Sequence, residues 1–191
     1  MVIQAQSPIY TLDEYRALEE AAEFRSEYQD GKIIPLSGGT IEHNNIIINL
    51  IFLLKLALRG TSYRVQSSDL RLWIPQYSRG TYPDVMVIAG EPAFNENRTD
   101  EVLNPCLIVE VLSKSTEGYD RGDKFFYYRS IPEFREYLLI SQSEYFIEHY
   151  LKTGEGQWLL QEYRGDQGKI TLQSVGISLV VKDVYEGVNN V

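Results

Sequence analysis

The chain has 191 residues, of which 43% are apolar and 24% charged. That is the size of one ordinary domain with enough apolar content for a core, which excludes a disordered or low-complexity chain. Eighteen basic residues against 27 acidic ones leave a charge of −9, which excludes a broadly basic nucleic-acid coat protein but leaves room for a local basic patch.

The first residues, Met1–Pro8, carry no charged start followed by an apolar stretch, so no signal peptide is expected. With a lone cysteine, Cys106, no intrachain disulfide is possible, and no apolar run reaches the roughly 18 residues of a membrane helix. A cytoplasmic protein is expected. Cys106 opens an apolar run and reads as a small core residue rather than a reactive thiol.

Thr11-Leu12-Asp13-Glu14 is a capping box, and the pattern behind it predicts a helix to about Tyr28. Leu12, Tyr15, Leu18 and Ala22 form its apolar stripe. Asp30-Gly31 is a turn, and Lys32–Leu36 a short strand that Pro35 places at an edge or a strand end. From Glu42 to Leu58 the chain is too apolar for a surface helix and is expected to be a buried helix crossing a sheet. Strands are expected at Tyr63–Gln66, Leu70–Ile74, Val85–Ile88 and Leu107–Leu112, with Ala89–Asn104 a polar loop. Glu117–Arg129 has helical spacing, with Ser113, Ser115 and Thr116 as its N-cap region. Tyr137–Ile140, Tyr145–Leu151, Trp158–Tyr163 and Ile177–Val181 are further strands, with hairpin turns at Gly154–Gly156 and Asp166–Gly168. No repeat or linker interrupts residues 1–191. The expectation is one α+β domain with a mixed central sheet flanked by helices and a C-terminal β-meander.

In Pro105–Leu112 a carboxylate, Glu110, interrupts a continuous apolar strand. A charge there costs several kcal/mol (on the order of a poorly paired buried ion) unless it is paired, protonated or bound to a metal. Asp84 stands at the mouth of the neighbouring apolar strand, after Pro83. Two such acids at matching depth make a site for a hard cation, completed by waters. On the helix that follows, Asp120, Lys124, Tyr127 and Tyr128 share one face, so Lys124 can reach back over the strand ends or form a solvated pair with Asp120. His43, at the start of the apolar helix, is a site acid–base or a helix-start residue. His149 is read as a surface residue. There is no zinc spacing, no nucleophile elbow, no P-loop and no dinucleotide fingerprint.

Several motifs together resemble the Uma2 family, also called DUF820: Glu27–Ile33; His43; Tyr82-Pro83-Asp84-Val85; Val109–Thr116; Asp120–Lys124; and Ile131–Phe134 with Tyr137. The resemblance spans roughly residues 10–187. It implies a restriction-endonuclease-like fold of the PD-(D/E)XK superfamily and a Mg²⁺-dependent (or Mn²⁺-dependent) endonuclease acting on DNA. Pro83-Asp84 matches the PD, Glu110 the acid, and Glu27 an auxiliary first-helix acid beside His43. Asp84 and Glu110, with the Val111 carbonyl, would hold the metal. The motif lysine is missing, because Leu112 stands there; Lys124 is the substitute, and Lys114 lies near. Ser141 departs from a common Asp. Contact with DNA would fall to Arg71, Arg79, Lys114 and Arg121 beside Lys124, with a homodimer flanking the duplex. A non-catalytic interaction module on the same fold stands as the alternative, with a metal-dependent hydrolase of another substrate behind it.

Overall fold

The computed structural model describes residues 8–189 and 191. The expectation of no signal peptide falls largely on residues outside this range.

Helix α1 (Leu12–Ala21) opens on the expected capping box: Glu14 N donates to Thr11 Oγ1 at 3.2 Å, and Thr11 N donates to the Glu14 carboxylate at 2.7 Å. The helix stops earlier than its pattern suggests. Ser26–Gln29 is strand β1, paired with β2 (Lys32–Pro35). Asp30 and Gly31 join them with φ of 48° and 84°, the left-handed pair that suits the strand twist of a two-residue hairpin. Tyr28 packs between Tyr15 and Trp73, and this burial outweighs the local helical pattern. Glu27 is therefore a strand residue, not one from the first helix.

Helix α2 (Ile41–Ala57) follows. Next come β3 (Tyr63–Ser67), β4 (Arg71–Ile74), β5 (Arg79–Thr81), β6 (Val85–Ala89), β7 (Glu101–Val102) and β8 (Pro105–Leu112). A helical stretch then runs through α3 (Glu117–Tyr119), a π-helical turn (Asp120–Lys124) and α4 (Phe125–Tyr128). Strands β9 (Glu136–Ser141), β10 (Phe146–Gly154), β11 (Gln157–Arg164), β12 (Lys169–Leu172) and β13 (Ile177–Val180) precede the short α5 (Val181–Val184).

The central sheet has six strands in the order β11-β10-β9-β8-β6-β3. Its β8–β9 pair is parallel, while the other neighbours are antiparallel, so the sheet is mixed as expected. A five-stranded sheet, β2-β1-β5-β4-β7, carries the N-terminal hairpin, with β2 at its edge as Pro35 suggested. Strands β9–β11 form the expected meander. Gly154–Gly156 turns β10 into β11, but Asp166–Gly168 is no hairpin turn: β12 leaves the sheet and pairs with β13. The supposed loop Ala89–Asn104 contains β7, held parallel to β4 because Glu101 anchors buried arginines.

All eight residues of β8 are buried. Leu107, Val109 and Val111 pack with Ile46, Leu50 and Leu54 of α2, whereas Ile108 and Leu112 pack with Leu72, Ile74, Tyr128 and Tyr137. Alternate residues of one strand thus serve two cores, one on each face. Cys106 is a core residue, its thiol pushed up to about 11 by burial. The expectation of a wholly buried α2 fails. Ile46, Leu50 and Leu54 are covered, but Ile48, Phe52 and Leu56 are 62%, 64% and 58% exposed. His149, expected at the surface, is buried, with Nε2 3.0 Å from Glu136 Oε1.

Candidate active site

The register of the central sheet sets the site. Val85 pairs with Val109, so the next antiparallel step brings Asp84, at the mouth of β6, to Glu110 of β8. Asp84 N donates to Glu110 Oε2 at 3.4 Å, and Val111 N donates to Asp84 Oδ2 at 2.8 Å. Neither acid is tied to an arginine among the described residues.

Lys124 reaches this pair from the π-helical turn. Its Nζ lies 3.1 Å from Glu110 Oε1, 3.1 Å from Asp120 Oδ1 and 3.8 Å from Glu27 Oε1. The contact with Asp120 is an ion pair without hydrogen-bond alignment, since Asp120 Oδ1 has no hydrogen-bond partner. Lys124 and Asp120 are both buried, so the reading of a solvated helix pair does not hold. The widened turn keeps Asp120 and Lys124 directed at the sheet, and π turns of this kind recur at functional sites. Tyr128, four residues beyond Lys124, donates its hydroxyl to Glu110 Oε1 at 2.7 Å. Glu27 is held by the Thr81 hydroxyl and by Gln29 Nε2 at 3.2 Å.

His43 comes from the first turn of α2. Thr40 caps that helix by accepting from His43 N at 3.1 Å, which points the imidazole Nε2 to 3.4 Å from Asp84 Oδ2. Gly39 makes this possible, because a Cβ there would meet His43 Nδ1 at 2.7 Å.

The electrostatics follow from too many acids around one ammonium. Burial raises the Glu110 pKa to about 8, with Asp120 and Asp84 adding to it and Lys124 opposing. Burial works against the Lys124 charge, but Glu110, Asp120 and Glu27 together hold it well above the ordinary lysine value. For His43 burial again works against protonation, and Asp84 with the Val111 carbonyl outweighs it, so its pKa is raised.

The chemistry of the donor set fits a hard divalent cation. Asp84 and Glu110 offer carboxylate oxygens beside the Val111 carbonyl, and a second positive charge would relieve the crowding that raises Glu110. Among the described residues no group of three His, Cys, Asp or Glu side chains converges as a complete metal cage. Such an ion would keep several waters, as Mg²⁺ normally does.

The expected DNA-contacting set is not brought together. Arg71 is buried, donating to Glu101 at 2.6 Å, so it is a core residue. Arg79 pairs with Asp30 at 2.8 Å and lies over the Tyr127 ring at 4.1 Å, while Arg121 is held by Glu117 and Glu148, each at 2.7 Å. Of the four, Lys114 is exposed and outside any ion pair among the described residues. Sequence reasoning missed Tyr128 as a donor to Glu110, although the helix face it shares with Lys124 was legible.

Residues 12–182 match the model of the Uma2 family, described as "Putative restriction endonuclease". The chain is 46% identical over 170 residues to the uncharacterized protein sll1609 of Synechocystis sp. (strain ATCC 27184 / PCC 6803 / Kazusa), covering 89% of this chain and 96% of that protein. It is 37% identical over 183 residues to the uncharacterized protein slr1290 of the same organism, covering 96% and 95%. Its fold is similar to the crystal structure of a putative nuclease of DUF820 from Anabaena variabilis ATCC 29413, with a TM-score of 0.75, 20% identity, and 92% of this chain and 97% of that chain covered. The chain belongs to the Uma2 family and has the α+β fold of that nuclease-like group.

Proposed function

We propose that the protein is an endonuclease that hydrolyses phosphodiester bonds of DNA with Mg²⁺ or Mn²⁺. The observation that carries this reading is the buried Glu110 carboxyl, set between Asp84 and Lys124 and short of positive charge. Asp84 and Glu110, with the Val111 carbonyl, would hold the ion. When bound, the ion supplies Lewis acidity toward a phosphate oxygen. Lys124, kept charged by three carboxylates, presents a fixed positive charge where negative charge grows on the phosphate. Glu27 and Asp120 hold the Lys124 ammonium in place, and His43 orients Asp84. The same reading has two copies of the chain working on a duplex in the cytoplasm.

Purified protein is incubated with supercoiled plasmid, with and without Mg²⁺ or Mn²⁺. Nicking or linearisation is expected with the metal and is lost in Asp84→Ala, Glu110→Ala and Lys124→Ala. Cleavage that survives Asp84→Ala and Glu110→Ala overturns the reading. One observation favours a second reading, a non-catalytic interaction module. Arg71, Arg79 and Arg121 are spent on internal ion pairs in a chain of charge −9, which leaves little to attract phosphates. Mn²⁺ titration by calorimetry separates the two: the nuclease binds the ion and loses it in Glu110→Ala, and the module does not bind it.

A further inference from the structure

We infer that two copies of this chain associate through the outer face of α2, antiparallel, about a two-fold axis near residue 50. This carries further the reading in which two copies act together. Ile41, Ile48, Phe52 and Leu56 are 73%, 62%, 64% and 58% exposed. Their spacings of seven, four and four residues place them in one stripe along the helix. From Ile41 to Leu56 the stripe runs roughly 22 Å at the helical rise of about 1.5 Å per residue. A strip of this size is on the scale of the largest apolar patch that a monomer carries, and such patches are often functional. The opposite side of the same helix already serves the core through Ile46, Leu50 and Leu54, so the strip is surplus to folding.

Three features select a second copy as the occupant. The stripe is self-complementary: in an antiparallel pairing centred near residue 50, Ile48 of one copy meets Phe52 of the other, and the reverse. The charges agree with that direction. Glu42 lies at the N-terminal end of α2, Lys55 and Arg59 at its C-terminal end, and none of the three is in an ion pair among the described residues. Antiparallel copies bring opposite charges together at both ends, whereas parallel copies would stack Glu42 on Glu42. The area matches a weak, reversible dimer. Four large apolar side chains supply several hundred Å² per copy, below the roughly 800 Å² per partner of a standard stable interface, and the flanking Asn44, Lys55 and Arg59 extend the rim. The pairing has a consequence for the candidate site. His43 lies seven residues from the proposed centre, so the two sites would stand roughly 20 Å apart along the helix axes, one on each side of the dyad.

The full chain is measured by sedimentation velocity across micromolar concentrations, in parallel with Phe52→Glu, Glu42→Arg, Glu42→Arg with Arg59→Glu, and Leu159→Glu. Leu159 is an exposed apolar residue of β11 and serves as the control. A dimer is expected for the parent chain and for Leu159→Glu, with at least a tenfold weaker association in Phe52→Glu. Glu42→Arg is expected to weaken the dimer, and the double charge reversal to restore it. Phe52→Cys, joined by a short bismaleimide, is expected to give a covalent dimer, which tests the face without an added charge. A monomeric parent chain, a dimer indifferent to Phe52→Glu, or a Phe52→Cys chain that gives no covalent dimer, each overturns the inference. No arm reads DNA cleavage, so failure of the nuclease reading leaves this result standing, and the reverse.

Discussion

Glu101 and Glu110 are the same residue type, both on strands and both buried, at 0% and 3% exposure. Their surroundings are opposite. Glu101 accepts from Arg16 at 3.0 and 2.8 Å, from Arg71 at 2.6 Å and from Asn95 at 2.9 Å. Burial alone would raise its pKa, but these donors outweigh it and the pKa is lowered. Glu110 shares a single ammonium with Asp120 and Glu27, faces Asp84, and has a pKa raised by burial and by its neighbouring acids. A buried acid with a full complement of donors holds the fold together; one left in a surplus of acids is prepared for a cation.

The largest expected effect belongs to the first of the pair. Glu101→Ala leaves Arg16 and Arg71 without their shared carboxylate and should cost about 3–5 kcal/mol of stability, the scale of breaking a buried ion pair from one side. Urea unfolding measures it. A loss below about 1 kcal/mol, the scale of an exposed pair, would mean that this cluster is not structural.

Glu110→Gln should do the reverse. Cleavage should fall by roughly 100-fold or more, the scale of removing one electrostatic stabiliser from a hydrolytic centre. The melting temperature of the metal-free protein should stay level near neutral pH and rise above about pH 8, because the amide replaces a carboxyl that keeps its proton up to about pH 8 and removes a negative charge only beyond it, while Lys124 keeps Asp120 and Glu27. Unfolding as severe as that of Glu101→Ala would erase the distinction.

The two carboxylates should also bend the pH profile of stability in opposite directions. The Glu110 pKa rises from 4.5 to about 8, so within that window the folded protein keeps a proton that the unfolded chain has released. Stability of the metal-free protein therefore falls as pH climbs through the window. Melting in EDTA from about pH 6 to about pH 8.5 should show the decline in the parent chain and flatten it in Glu110→Gln. A decline of equal slope in both would place its origin elsewhere.

The sequence displayed Glu110 and hid Glu101, for a physical reason. An acid inside the apolar run Cys106–Leu112 violates the strand pattern around it, so it stands out by contrast. Glu101 sits in a polar stretch of Gly, Pro, Asn and charges, where nothing local marks it as buried. Its arginines lie 85 and 30 positions away. The same blindness to distant partners made Arg71 look like a DNA contact and His149 like a surface residue. Local chemistry was legible: the capping box at Thr11, the Asp30-Gly31 turn, and the approach of Lys124 to the strand acids. Where α1 ends was not, because Tyr28 is drawn into a strand by Tyr15 and Trp73. For α2, composition announced apolar content but could not say that one of its sides would face outward.

Glu136 sharpens the contrast with the smallest change. It is fully buried, accepting from Gln173 N at 2.7 Å, from Ser174 N at 2.9 Å and from the Ser174 hydroxyl, with His149 Nε2 at 3.0 Å. Burial would raise its pKa, but these donors lower it, as at Glu101. A lowered pKa contributes stability that is present above the unfolded value of 4.5 and lost as pH falls through the folded one. Glu136→Gln keeps the shape and gives up the charge, so it should cost about 1–2 kcal/mol near neutral pH, the difference between charged and neutral acceptors. It should also flatten the acid side of the stability profile, measured by urea unfolding below about pH 5. If the acid side keeps the parent slope, Glu136 is not among the acids that protect the fold, and the group exemplified by Glu101 shrinks to Glu101 itself.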